Sequence, residues 1–324
     1  MRPVHHDEAQ STADRYRAFA EVEAPGQSPL YEEWALGVAD DSEVIALIDE
    51  LDPPRRQTNL VFAAARAAGA PLVTYAKFRD WLTAHWPAVR GIAETRSTQT
   101  NEAARCAILL PLLARLPQPL ALLEVGASAG LCLLPDRYSY RYGEVTIDPI
   151  DGRSQVLLEP RLSGPVPIPE RMPDVVWRAG IDLNPLNVFD DSDTAWLETL
   201  VWPEHDARRE RLKAAISVAR REPPRIVRAD VVSALAEVAS GAPDDATLVV
   251  YHSAVMAYLT FEHRERFVAE VQALPGHWIA TEGVHIVPGI AAPKGSDPSL
   301  LLVALDGQPV AHAGVHGQSL DWIA

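Results

Sequence analysis

The chain has 324 residues, 48% of them hydrophobic and 23% charged, with a mean hydropathy of −0.04. It can therefore bury a sizeable core, which excludes a disordered chain and fits one large domain or a core with an appended subdomain. A net charge of −15 argues against a nucleic-acid partner, although much of the excess lies in residues 1–53, which hold thirteen acidic side chains against three arginines. The most apolar stretch, 106–126, is broken by Pro111, Arg115, Pro117 and Pro119, and Met1–Asp14 has no apolar signal core, so no membrane partner and a cytoplasmic location are expected.

From Glu8 to about Leu116 the apolar spacing is helical, with segments at 14–22, 30–38, 42–51, 59–68, 77–86 and 101–116. This predicts an N-terminal all-helical cap over residues 1–97. Cys106 and Cys132 lie in apolar runs without CxxC spacing and read as buried small hydrophobes. Pro119–Val125 is a short apolar run ending in a glycine turn, the pattern of a buried parallel strand. Residues 133–176 then hold seven of the chain's 27 prolines and the alternation Tyr138-Ser139-Tyr140-Arg141-Tyr142, which predicts a β-rich insertion with three tyrosines on one strand face. Strand and helix alternate afterwards: strand 175–181, helix 195–221 broken at Pro203, strand 225–227, helix 231–239, strand 247–251, helix 261–274 and strand 278–281. Leu300–Leu305, the turn Asp306-Gly307 and Val310–Val315 read as an antiparallel hairpin. The predicted class is α/β: a doubly wound, mostly parallel sheet with a C-terminal antiparallel hairpin over residues 98–324, plus the helical subdomain and the insertion.

Chemistry concentrates where the strands end. In Leu122-Leu123-Glu124-Val125-Gly126-Ala127-Ser128-Ala129-Gly130 an acid and a glycine loop follow the first strand and open a helix, so that backbone N–H groups can approach a nucleotide closely. Gly180-Ile181-Asp182-Leu183-Asn184-Pro185 ends the next strand with a carboxylate suited to a ribose diol. Asp230-Val231 follows the third, and Asp245–Leu259 holds the fourth. In this order the four elements resemble class I S-adenosylmethionine-dependent methyltransferases, with Ser128 replacing the middle glycine of their E-x-G-x-G-x-G loop. The resemblance implies S-adenosylmethionine as cofactor, held by Glu124, Gly126, Ala127, Ser128, Gly130, Asp182, Leu183, Asp230 and Val231. Asn101, opening the preceding helix, would reach its amino-acid end. Thr98–Arg105 and Trp202-Pro203-Glu204-His205 also look like a family of unknown function from high-GC bacteria.

The implied activity is methyl transfer to an O or N atom of a small-molecule acceptor, since the N/D-P-P-Y and Pro-Cys motifs of nucleic-acid methylases are missing. Such an enzyme aligns the acceptor and removes its proton. His252, just beyond the expected end of the fourth strand, is the first candidate base, with Tyr251 beside it and His205 from a lid after Pro203. Blander roles suit the same residues: helix capping for Asp182, Asp230 and Thr98, and a buried hydrogen bond for His252. The three tyrosines can wall a pocket or pack the insertion. Two rival functions stand beside methyl transfer. One is a non-catalytic binding or scaffold protein on the same fold. The other is a serine hydrolase, because Gly126-Ala127-Ser128-Ala129-Gly130 spells the G-x-S-x-G elbow, although the helices before Pro119 leave no room for the strands that fold needs. No metal is expected, since His277, Glu282 and His285, like His5-His6, lack ligand spacing. A helical cap over the strand ends would enclose a pocket, and it suits a homodimer interface equally well.

Overall fold

The computed structural model describes residues 11–99 and 101–324, so His5 and His6 lie outside the described residues. The chain forms two compact units, one helical and one α/β.

In the helical unit, described over 11–99, five helices follow the expected order: α1 (Thr12–Ala18), extended by a π-helical turn Phe19–Glu23, then α2 (Pro29–Ala39), α3 (Ser42–Ile48), α4 (Thr58–Ala67) and α5 (Tyr75–Thr95). Their starts are set by side chains that accept the orphan N–H groups: Ser11 from Asp14, Ser28 from Tyr31 with Pro29 at the first position, and Asp41 from Glu43 and Val44. The core is aromatic. Trp34 stacks on Phe78 at 3.7 Å, and Phe62 meets both rings edge-on. The helix expected to stop at Trp86 runs through Pro87 to Thr95, because Trp86, Val89 and Ala93 continue its buried face and outweigh one lost hydrogen bond.

Ser192–Glu210 belongs to this unit as well. Arg66 Nη1 donates to the carbonyls of Thr199 and Val201, at 2.9 and 2.8 Å, while Glu204 accepts from Ser28 Oγ at 2.6 Å and from Leu30 N at 3.1 Å. The segment Trp202-Pro203-Glu204-His205 thus closes the start of α2.

The α/β unit begins with a 3-10 turn at Ala103–Arg105, α6 (Cys106–Leu113) and β1 (Leu120–Val125). The insertion supplies β2 (Ser139–Tyr142), β3 (Val145–Ile147), β4 (Leu157–Leu158) and β5 (Arg161–Ser163), followed by β6 (Val175–Asp182). The chain passes through the helical unit in α7 (Asp191–Leu200) and the first part of α8 (Asp206–Arg221), and the α/β unit continues with β7 (Arg225–Arg228), α9 (Val231–Ala239), β8 (Thr247–Ser253), α10 (Phe261–Ala273) and β9 (His277–Gly283). An antiparallel meander ends the chain: β10 (Leu301–Leu305), β11 (Gln308–Ala313) and β12 (Ser319–Trp322).

Nine strands form one mostly parallel sheet in the order β5-β12-β11-β10-β9-β8-β1-β6-β7. From β1 the chain builds outward through β6 and β7, then returns to build β8 and β9 on the other side. The order therefore reverses at β1, and open α/β sheets bind ligands beyond the carboxyl ends of the strands at such a reversal. Leu123, Val125, Val250, Trp278 and Ala280 pack one sheet face against Leu235 of α9 and Phe267 and Val271 of α10. The insertion keeps β2, β3 and β4 as a separate small sheet but sends β5 back to pair with β12 at the far edge. That pairing needs Gly164, whose added Cβ would lie 2.2 Å from the Trp322 carbonyl oxygen.

One half-buried group, Glu23, makes stability pH-dependent. Burial pushes the Glu23 carboxyl from 4.5 up to about 7. A pKa raised in the folded state gives a contribution that is complete below the unfolded value and fades as the pH climbs through the folded one. Glu23→Gln is expected to match wild type near pH 4 and to exceed it by roughly 2 to 3 kcal/mol at pH 8, read from denaturant midpoints at both pH values.

Candidate functional site

Backbone strain marks the reversal point. Four non-glycine residues among those described have a left-handed φ, and three of them leave the carboxyl ends of adjacent strands: Ser128 (φ 51°) after β1, Ala254 (φ 56°) after β8 and His285 (φ 68°) after β9. The fourth, Asp306, makes the hairpin turn between β10 and β11. Such conformations persist only where surrounding contacts impose them, and they collect at ligand sites.

Asp182, at the end of β6, imposes the first. Its Oδ2 accepts from Ser128 N at 2.8 Å and its Oδ1 from Asn184 N at 2.7 Å, with the carboxylate buried. Asn101 braces the same loop from the other side, donating from Nδ2 to the Ala127 carbonyl at 3.1 Å and accepting Leu131 N on Oδ1 at 2.8 Å. Gly126 and Gly130 supply positive φ, and their missing Cβ positions are filled by the chain itself, with Val255 Cγ2 at 2.4 Å and Pro224 Cγ at 2.5 Å. Ala127 is buried in the middle of the loop.

The helix expected after this loop does not form. A 3-10 turn, Leu131–Leu133, is followed by a second, Pro135–Arg137, and then by β2. Pro135 has no N–H to return to the Leu131 carbonyl, which accepts from the Tyr138 hydroxyl at 2.7 Å instead. Arg178 Nη1 takes the Leu133 carbonyl at 3.2 Å, and the Tyr140 hydroxyl takes that of Pro135 at 2.5 Å. With the Tyr142 hydroxyl on the Ala107 carbonyl, all three tyrosines are buried and hold backbone, which is the packing role.

His252 is fully buried. Its Nε2 accepts the Trp278 indole N–H at 3.0 Å, so Nδ1 carries the proton and donates to Glu282 Oε1 at 2.7 Å. A neutral ring with both nitrogens committed orients Glu282 and has no atom left for an acceptor's proton. Tyr251 donates its hydroxyl to the Cys132 carbonyl at 2.9 Å, and burial pushes its phenol well above the ordinary range, so it serves as a donor. His205 belongs to the helical unit, stacks on Trp202 and faces the Gln27 carbonyl through Nε2 at 3.0 Å. Asp230 caps α9 by accepting from Val232 and Ser233, and Val231 packs in the core. Leu183 projects from the loop after β6, 55% exposed.

Unsatisfied polar atoms collect at the same edge. Glu124 Oε2, Ser128 Oγ, Ser253 Oγ, Thr281 Oγ1 and Glu282 Oε2 are buried without a hydrogen-bond partner. Burial pushes the Glu124 carboxyl well above the usual carboxylate range, against the pull of Arg105. Arg105 and Thr281 escaped the sequence reading, and Glu282 entered it only as a metal candidate. A polar Thr-Glu pair closing an apolar strand was the available signal. His277 pairs instead with Asp306 at 2.7 Å, and among the described residues no three His, Cys, Asp or Glu side chains gather to hold a metal. Cys106 and Cys132 are free and buried.

Fold and edge together define a doubly wound α/β protein with a strained, polar edge where its strand order reverses. The chain matches, over residues 13–322, the family described as "Uncharacterized protein conserved in bacteria (DUF2332)", and it belongs to that family. No curated protein and no solved structure matches it.

Asp182→Asn tests the brace on the loop. An amide cannot accept from Ser128 N and Asn184 N through both of its heads, so a loss of roughly 1.5 to 3 kcal/mol is expected in denaturant unfolding, with faster hydrogen exchange at the Ser128 amide.

Proposed function

We propose that this protein binds S-adenosylmethionine over the loop after β1 and the end of β6, and that it methylates a small-molecule acceptor held beyond β8 and β9. The observation that carries the reading is the reversal of strand order at β1, with the acid-ended strand β6 paired beside it. When bound, the cofactor would supply an electrophilic methyl group. Asp182 ends β6 beside the loop after β1, and a carboxylate at that place is of the type that accepts from the vicinal hydroxyls of a ribose diol. The exposed Leu183 side chain offers an apolar platform for a base next to that diol. The acceptor's proton falls to Glu282 Oε2, because His252 Nδ1 and the Val255 and Met256 amides already fix Oε1.

A second reading, a non-catalytic binding protein, is favoured by one observation: Asn101 and both loop glycines are already employed in holding the loop itself. Nothing comparable favours a hydrolase, since no histidine bonds the Ser128 hydroxyl and Trp278 occupies His252 Nε2.

Calorimetric titration of S-adenosylhomocysteine into wild type and Leu183→Ala tests the reading. Saturable binding is expected, weakened about tenfold in the variant with an unchanged melting temperature, because the removed side chain is exposed in the free protein. Absence of binding to folded wild type would sink the methyltransferase reading. Binding without turnover across an acceptor screen would favour the binding protein.

A further inference from the structure

The sheet face that carries Glu124 and Tyr251 holds a buried cation with no ion pair. Arg105 lies at the start of α6, 9% exposed, and spends two of its five N–H groups on backbone carbonyls: Nε on Val315 and Nη1 on Ser253, both at 3.1 Å. Among the described residues no carboxylate lies within ion-pair distance of it. An unpaired buried charge is costly, and an arginine in this condition is completed by an anion.

The strand end whose Ser253 carbonyl Arg105 holds carries two hydroxyls without a partner. Ser253 pairs in register with Thr281, which puts both side chains on one face about 5 Å apart. Glu124 pairs with Tyr251, two residues earlier on β8, and so shares that face about 8 Å from Ser253. Thr281 is 1% exposed, and neither Ser253 Oγ nor Thr281 Oγ1 has a partner. Burial pushes the Glu124 carboxyl well above the usual carboxylate range, against the pull of Arg105, which disfavours a charged Glu124 as the counter-ion of this arginine.

We propose that this face of the strand ends binds a carboxylate, its charge met by Arg105 and its oxygens hydrogen-bonded by Ser253 Oγ and Thr281 Oγ1. The inference rests on the reading of this edge as a ligand site and not on which cofactor occupies it. The carboxylate belongs either to the amino-acid end of the cofactor or to the acceptor.

The test uses the full chain with acetate and benzoate as probes and acetamide and benzamide as uncharged isosteres, read by melting temperature. At least one carboxylate is expected to raise the wild-type melting temperature saturably while its amide does not. Thr281→Val exchanges an unpaired buried hydroxyl for a methyl of the same shape. Without probe it is therefore expected to melt about 1 to 3 °C higher than wild type, and to bind the carboxylate at least tenfold more weakly. Ser253→Ala is expected to weaken the probe in the same direction. A wild type that responds to neither carboxylate, or a Thr281→Val protein that melts lower than wild type, would overturn the site. Where S-adenosylhomocysteine displaces the probe, the carboxylate is the cofactor's; where the two bind together, it is the acceptor's. Carboxylate binding without S-adenosylhomocysteine binding keeps this site and removes the methyltransferase reading. The reverse result removes this site alone.

Discussion

The carboxylate of Asp182 ends one strand and holds the exit of its neighbour. By accepting Ser128 N and Asn184 N it fixes the turn after β1 and the turn after β6 with a single buried group, each bond to a charged acceptor contributing roughly 1.5 to 3 kcal/mol. The bond from its amide to Asp182 helps hold Ser128 in a left-handed conformation, and a Cβ at Gly126 in the same turn would meet Val255. The loop is consequently shaped before any ligand arrives, which lowers the ordering cost of binding. The same economy limits it: amides and side chains spent on the loop's own shape are not available to a guest.

The glycines of that loop illustrate how a motif is over-read. Gly-x-Ser-x-Gly after a strand looks like a place where ligand backbone contacts are made, yet both glycines have a sufficient reason inside the fold. A Cβ at Gly126 would strike Val255, and one at Gly130 would strike Pro224. The helix that the motif usually opens is missing for a reason also written in the chain, the proline at 135 and the tyrosines that serve the carbonyls left behind. These contacts join residues only five to seven positions apart, but no periodicity reports them.

Long periodic elements were legible. Residues 231–239 were read as they fold, because Asp230 is a strong cap and the apolar face of the helix is continuous. The alternation of strands and helices from 175 to 283 gave the doubly wound order. What stayed hidden was short and non-local: β5 has three residues and β12 four, and they find each other across more than 150 positions of chain. At the site, His252 was expected just beyond the fourth strand but lies inside β8, which runs to Ser253, and its chemistry is decided by Trp278 and Glu282, 26 and 30 residues onward. That no carboxylate lies within ion-pair distance of Arg105 among the described residues is likewise a property of its surroundings, which no local pattern encodes.

Glu282 repeats on one side of the reversal point what Asp182 does on the other. It lies at the end of β9 and accepts Val255 N and Met256 N at 2.8 and 3.1 Å, the amides just after the strained Ala254 that leaves β8. His252 Nδ1–H adds a third donor to the same oxygen, and the indole of Trp278 fixes the tautomer that makes this possible. In both places a strand-terminal acid binds the amides of the adjacent strand's exit loop and holds a non-glycine residue at positive φ. Val255, positioned by Glu282, fills the space above Gly126, in the loop positioned by Asp182, so the two carboxylates brace one another through a van der Waals contact. In Glu282 an entire buried oxygen, Oε2, is left over. A sheet that needed these acids only as structural ties would be more stable with that oxygen satisfied or replaced by an apolar group, since an orphaned buried acceptor carries its desolvation cost without return. The orphaned Glu282 oxygen lies on the sheet face of His252, and the partnerless Ser253 and Thr281 hydroxyls lie on the opposite face, so both sides of the strand ends at the reversal point carry unsatisfied polar atoms.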